Sequence, residues 1–134
     1  MIKVVLDTNI LVSSLLAFGP PAAIVDLAAD GRIVPFYNDL IIQEYWSVLS
    51  RKKFGFSPLQ VIRLVKDIVR IGIGVETVIP SKIPLIDEDD RIFYDTATNA
   101  GAYLITGNIR HFPKELLIVT PAQFLDTYRK KEKN

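Results

Sequence analysis

The stretch IKVVLDTNILVSSLL, Ile2 to Leu16, decides the fold, because its apolar run is broken once, by Asp7, Thr8 and Asn9. Ile2 to Leu6 is continuously apolar apart from Lys3 and rich in β-branched residues, the pattern of a strand covered on both faces of a parallel sheet. Thr8 to Leu16 reads as a helix. Asp7 therefore stands at the carboxyl end of a strand, the place where open parallel sheets bind their ligands. Its residue type alone leaves two readings open, a helix cap or a ligand.

The same alternation continues along the chain. GPP at Gly19 to Pro21 breaks the first helical run, Ala22 to Ala29 forms a second, and RIVPFY is a strand. Asn38 or Asp39 is placed to cap a helix through LIIQEYWSVLSRKKF. Ser57 caps the next, PLQVIRLVKDIVRI, whose Arg63, Lys66, Asp67 and Arg70 form a solvated face. VETVIP is expected as a strand, DEDD as the opening of a helix through Gly101, and AYLIT and LLIVT as short strands. Pro121 begins a last helix that should fray over about residues 125–134 into the charged RKKEKN. Strands alternating with helices imply an α/β fold of three layers around a mostly parallel sheet. The 134 residues suit one domain, 1–134.

Composition narrows the chemistry. Sixteen basic and fifteen acidic side chains leave a net charge of +1, so attraction to a polyanion must be local. With no cysteine and a single histidine, thiolate chemistry and a zinc ligand set are excluded. No apolar run reaches the ~18 residues of a membrane span, and none reads as a signal peptide, so a cytoplasmic protein without membrane contact is expected.

Two further carboxylates join Asp7. On a helical wheel Glu44 falls among Leu40, Ile41, Tyr45 and Val48, in an apolar arc where an unpaired charge would cost several kcal/mol. It needs a cation, or a basic side chain. In LIDEDDRIFYDTATNAGAYLITGN, Asp87, Glu88 and Asp89 suit a helix start, whereas Asp90 sits at the edge of a face formed by Phe93, Ala97, Ala100 and Gly101. Asp95 is expected on the solvent side. Asp7, Glu44 and Asp90 are oxygen ligands from three segments facing one crevice, a set suited to Mg²⁺ or Mn²⁺ and to phosphoryl chemistry. His111 reads as a loop side chain.

VVLDTNILVSSLL, Glu44 within an apolar helix, and DEDDRIFYDTATNAGAYLITGN together resemble the PIN domain, and within it the prokaryotic toxin components of toxin and antitoxin pairs. The resemblance runs from Ile2 to about Thr120. It implies a PIN-like fold and a divalent-metal ribonuclease cutting single-stranded RNA, often as a homodimer, with a small antitoxin protein as partner. It maps the family's acids onto Asp7, Glu44 and Asp90. Many relatives carry an acid after TG where this chain has Asn108, an amide that can still bind the metal. Asn9 and Thr106 would orient the ligands. Arg51, Lys52 and Lys53 on one side, with Arg91, Arg110 and Lys114 on the other, are candidate RNA contacts. The alternatives are a PIN-like binding module with weak catalysis and an aspartate-based phosphatase. The phosphatase would need a second Asp where Asn9 stands.

Overall fold

The computed structural model describes residues 1–76 and 78–133. Its elements are β1 (Ile2–Leu6), α1 (Thr8–Leu16), α2 (Pro20–Ala29), β2 (Ile33–Tyr37), α3 (Asp39–Leu49), α4 (Pro58–Ile71), β3 (Ile73–Gly74), α5 (Arg91–Ala100), β4 (Tyr103–Ile105), β5 (Ile118–Val119) and α6 (Pro121–Glu132). Three 3₁₀ turns, Lys52–Phe54, Glu88–Asp90 and Ile109–His111, lie between them.

All strand pairs are parallel, in the order β3-β2-β1-β4-β5. The chain moves outward from β1 through β2 to β3, then crosses back to β4 and β5, so the order reverses between β1 and β4. Right-handed crossovers require α5, on the return, to cover the sheet face opposite the outward helices. Accordingly α5 packs on β1, β2 and β4, while α2 packs with α1, α4 and α6. The result is the expected three-layer α/β/α arrangement. Val4, Val5 and Leu6 are fully buried in its centre.

Local signals set most boundaries. The Asn38 side chain accepts the Ile41 amide at the start of α3, and Ser57 with Gln60, like Thr120 with Gln123, forms a reciprocal cap. The helix expected through Phe54 ends at Leu49. Lys52–Phe54 is a separate turn closed by Gly55 in the left-handed conformation, at φ 65°. The strand expected over 75–80 is found instead at Ile73–Gly74, joined by a bond from the Val75 amide to the Tyr37 carbonyl; residue 77 lies outside the described residues. Gly72 permits that junction, because a Cβ there would come within 2.3 Å of the Pro35 carbonyl oxygen.

The tail expected to fray is helical through Glu132. Phe124, Leu125 and Tyr128 recur on one face and are buried, and Lys131 lies over the Tyr103 ring. An apolar face that docks on a neighbour outweighs the charge of the segment.

Two long-range bonds hold β1 in place. The Lys3 ammonium donates to the Ala100 carbonyl at 2.7 Å, at the carboxyl end of α5 where the helix dipole favours a cation. The Tyr45 hydroxyl, fully buried, donates to the Leu6 carbonyl at 2.6 Å. Tyr45→Phe leaves that carbonyl buried without a donor and is expected to cost about 1 to 3 kcal/mol. Urea unfolding should show a lower midpoint at unchanged slope; a parental midpoint would mean that the bond contributes nothing net.

Candidate active site

Asp7 ends β1 where the strand order reverses. Its amide extends the ladder to the Ile105 carbonyl at 3.0 Å, and its carbonyl accepts the Ile10 amide at the start of α1. Asp7 occupies the N-cap position of α1, but its buried side chain makes no geometric capping hydrogen bond, so capping alone does not account for it. Instead Asp7 Oδ2 accepts from Thr106 Oγ1 at 2.7 Å and, more weakly, from Asn9 Nδ2 at 3.4 Å. These supports are themselves fixed. Thr106 Oγ1 accepts the Asn108 amide at 3.0 Å, and Asn9 Oδ1 accepts the Gly107 amide at 3.1 Å. Burial pushes the Asp7 carboxyl above its ordinary range; the Thr106 hydrogen bond, the Thr8 and Asn9 amides and the charge of His111 offset part of that.

Asp90 is the second member. It closes the acidic turn before α5, half-buried, with His111 Nδ1 3.3 Å from its Oδ2. That contact lacks hydrogen-bond geometry, so Asp90 Oδ2 is a buried oxygen without a donor. Burial first, then the negative charges of Asp7 and Asp87, push its carboxyl up to about 6 against the opposing influence of His111. Asp7 and Asp90 are thus close enough to feel each other, and each is held where its charge is unwelcome.

The remaining candidates fall differently. The buried stripe of α3 is Ile41, Tyr45 and Leu49, with Leu40 exposed, so the apolar arc lies about one residue away from its expected position. Glu44 is half-buried beside a neighbouring concavity lined by Leu40, Gln43, Ser47, Glu88, Asp89 and Ile92. Among the described residues no three acidic or histidine side chains are grouped to hold a metal. Asn108 is exposed after β4.

Asp95, expected in solvent, is 5% exposed. Residues 93–97 are all buried, because α5 has the sheet on one side and the connection before the acidic turn on the other: Asn99 pairs with both backbone groups of Ile79. Arg91, expected to face RNA, is committed to Glu88, Ser81 and Ile83. Arg51, Lys52, Lys53, Arg110 and Lys114 are exposed. The contact of His111 with Asp90 and the bonds of Arg91 go beyond what the sequence foretells. The signal for the first was a lone histidine three residues after Asn108.

Asp7 and Asp90 are two oxygen donors that would hold a divalent ion with water completing its shell. Asp90 Oδ2, buried without a hydrogen-bond partner, is the orphaned oxygen of this pair that a cation or its water would satisfy; Thr8 Oγ1 and Asp95 Oδ1 are also buried without partners. Glu44 does not join them directly.

The raised Asp90 carboxyl makes stability depend on pH. Because the folded value exceeds the ordinary 3.8 and stands at about 6, the fold prefers the protonated group. That contribution is complete below about pH 3.8 and lost as pH rises through about 6. With chelator present, Asp90→Asn is therefore expected to melt higher than the parent at pH 7.5, the gap closing toward pH 4. A variant less stable at both pH values would make Asp90 a simple helix-start residue.

Among known proteins, no solved structure matches the chain. It is 27% identical to the uncharacterized protein MJ1680 of Methanocaldococcus jannaschii over 145 aligned positions, covering 96% of this chain and 93% of that protein. The sequence profile of the PIN domain matches residues 3–110, which contain β1 through β4 and the Asp7–Asp90 pair, and the chain belongs to the PIN domain family.

Proposed function

We propose that this protein is a Mg²⁺- or Mn²⁺-dependent endoribonuclease that cuts single-stranded RNA at the crevice shared by Asp7 and Asp90. PIN domains are generally nucleases, which supports hydrolysis of a phosphodiester. The observation that carries the reading is the Asp7–Asp90 pair itself, two mutually repelling carboxylates at the strand-order reversal, one with a donorless buried oxygen. A divalent ion bound there supplies Lewis acidity toward an attacking water and the leaving oxygen. Thr106 and Asn9 keep the Asp7 carboxylate in one orientation before substrate arrives. His111 tempers the charge of Asp90. Glu44, on the adjoining concavity, adds to the negative field that draws a cation, and Asn108 contributes an uncharged oxygen near the end of β4.

The RNA backbone needs cations elsewhere. Residues 51–70 hold six basic side chains and one acid, a net +5, so the remaining residues sum to −4. Arg51, Lys52 and Lys53 form no ion pair among the described residues, and Phe54 stacks on Phe56 beside them. Cations beside an aromatic stack suit a single strand. Purified protein should cut unstructured RNA in Mn²⁺ and stop with chelator. Asp7→Asn and Asp90→Asn should each lower cleavage by roughly 100-fold, equivalent to about 2.7 kcal/mol, and Glu44→Gln less. Neutralising Arg51, Lys52 and Lys53 should flatten the salt dependence of RNA binding by about 0.7 for each phosphate left without its cation. Folded Asp7 and Asp90 variants with parental cleavage would end the reading.

A toxin role is a second reading, with its own observation. Between α3 and α4 runs an apolar groove of about 680 Å³ lined by Ile42, Trp46, Leu59, Ile62 and Val69 and rimmed by Arg63, Lys66 and Arg70. An acidic amphipathic segment of a small antitoxin protein would suit it. A neighbouring reading frame whose product binds the parent but not Ile62→Glu is the expected result; a gene standing alone would remove this reading and leave the nuclease untouched.

A further inference from the structure

Between β3 and the acidic turn the chain runs through residues 75–87 with no helix or strand among the described residues. A connection of that length needs anchors, since every ordered residue costs about 1 to 2 kcal/mol of backbone entropy. Beyond the bond from the Val75 amide to the Tyr37 carbonyl, two side-chain anchors are found among the described residues, both on α5. Asn99 accepts the Ile79 amide at 2.9 Å and donates to the Ile79 carbonyl at 3.0 Å, as a neighbouring strand would.

Arg91 is the other. A guanidinium has five N–H groups, and here all five are used. Nε donates to Glu88 Oε2 at 2.6 Å and Nη2 to Glu88 Oε1 at 2.8 Å, a bidentate pair. Nη1 donates to the Ser81 carbonyl at 3.0 Å and to Ser81 Oγ at 2.9 Å, and Nη2 donates to the Ile83 carbonyl at 2.7 Å. One side chain thus joins the incoming connection, the acidic turn and the first residue of α5. Asp90 stands between Glu88, two residues before it, and Arg91, the next residue, so this one ion pair spans the turn that carries it. Within a run of four acids, Glu88 is the one paired with a guanidinium, and Arg91 accordingly holds it below its ordinary range. Lysine could keep the charge but not the span, because an ammonium has three donors and no fork.

We propose that Arg91 is a positioning residue of the active site: its clasp on Ser81, Ile83 and Glu88 fixes where Asp90 stands relative to Asp7 and His111. The proposal rests on the nuclease reading for its consequence in catalysis and on the bonds of Arg91 for its geometry. Arg91 touches neither substrate nor metal in this role. The sequence expectation that it contacts RNA makes a different prediction, so one set of variants separates the two.

The experiment compares Arg91→Ala, Arg91→Lys and Ser81→Ala with the parent and with Asp90→Asn. The chain has one histidine, so its ring signals in an NMR spectrum are those of His111. Arg91→Ala should move them in the direction that Asp90→Asn does, with Arg91→Lys intermediate. Trypsin should cut faster after Lys82, an exposed site between Ser81 and Ile83. Mn²⁺ affinity should fall by roughly tenfold or more, the usual effect of losing a group that orients a ligand. RNA binding in chelator should stay within about twofold, with the parental salt slope, whereas removal of a cation that neutralises a phosphate lowers that slope by about 0.7. If Arg91→Ala does not fold, Ser81→Ala, which removes one of the five bonds, should show smaller changes of the same sign. Parental His111 signals and parental Lys82 protection in the folded variants would overturn the proposal. If the parent itself neither binds Mn²⁺ nor cuts RNA, the nuclease reading falls, while the His111 and Lys82 measurements still decide whether Arg91 places Asp90.

Discussion

Everything near the crevice follows from one constraint: Asp7 carries a carboxylate at the end of the most buried strand of the sheet. Burial raises the cost of its charge, so the fold surrounds it with donors drawn from β4 and from the start of α1. Thr106 can reach it because β1 and β4 are adjacent and parallel, with Leu6 opposite Ile105. Reversal of strand order at that pair opens the space above them. The position of the site is thus a property of the topology, and the identity of the residue at the end of β1 decides what the space is for.

Charge is divided unevenly in this nearly neutral chain. The basic excess sits in residues 51–70, and acids crowd the turn before α5. In the proposed nuclease a polyanion would be repelled from the acidic mouth and attracted by the basic segment, which would assign binding and chemistry to different surfaces. Long-range attraction would then set the rate of encounter, and salt would screen it.

Much of this is legible in sequence where the signal is local. The β1 to α1 junction, the caps at Asn38 and Ser57, the start of α6 at Pro121, and Asp90 at the edge of α5 all rest on neighbouring residues, and the structure agrees with them. The failures are of another kind. Placing Asp95 from sequence assumes that every turn of a helix has a wet side, and residues 93–97 of α5 have none, because a connection from before the acidic turn lies over them; Glu44 is misplaced because the buried stripe of α3 lies about one residue from the expected arc. Arg91 looks like a free cation since its partners Ser81 and Ile83 offer mainly backbone oxygens, which leave no trace in a sequence. The α6 tail reads as frayed because its charges outnumber the three aromatic and aliphatic residues that dock it.

The bond from Thr106 to Asp7 closes a loop of 99 residues. On the ribosome, at 5 to 20 residues per second, about 5 to 20 s separates the synthesis of its two ends. During that interval β1 has no partner on its β4 side, and Asp7 lacks its best donor. A nascent chain of this protein therefore cannot assemble the crevice while the first hundred residues are being made, so whatever chemistry the crevice performs begins only once synthesis is nearly complete.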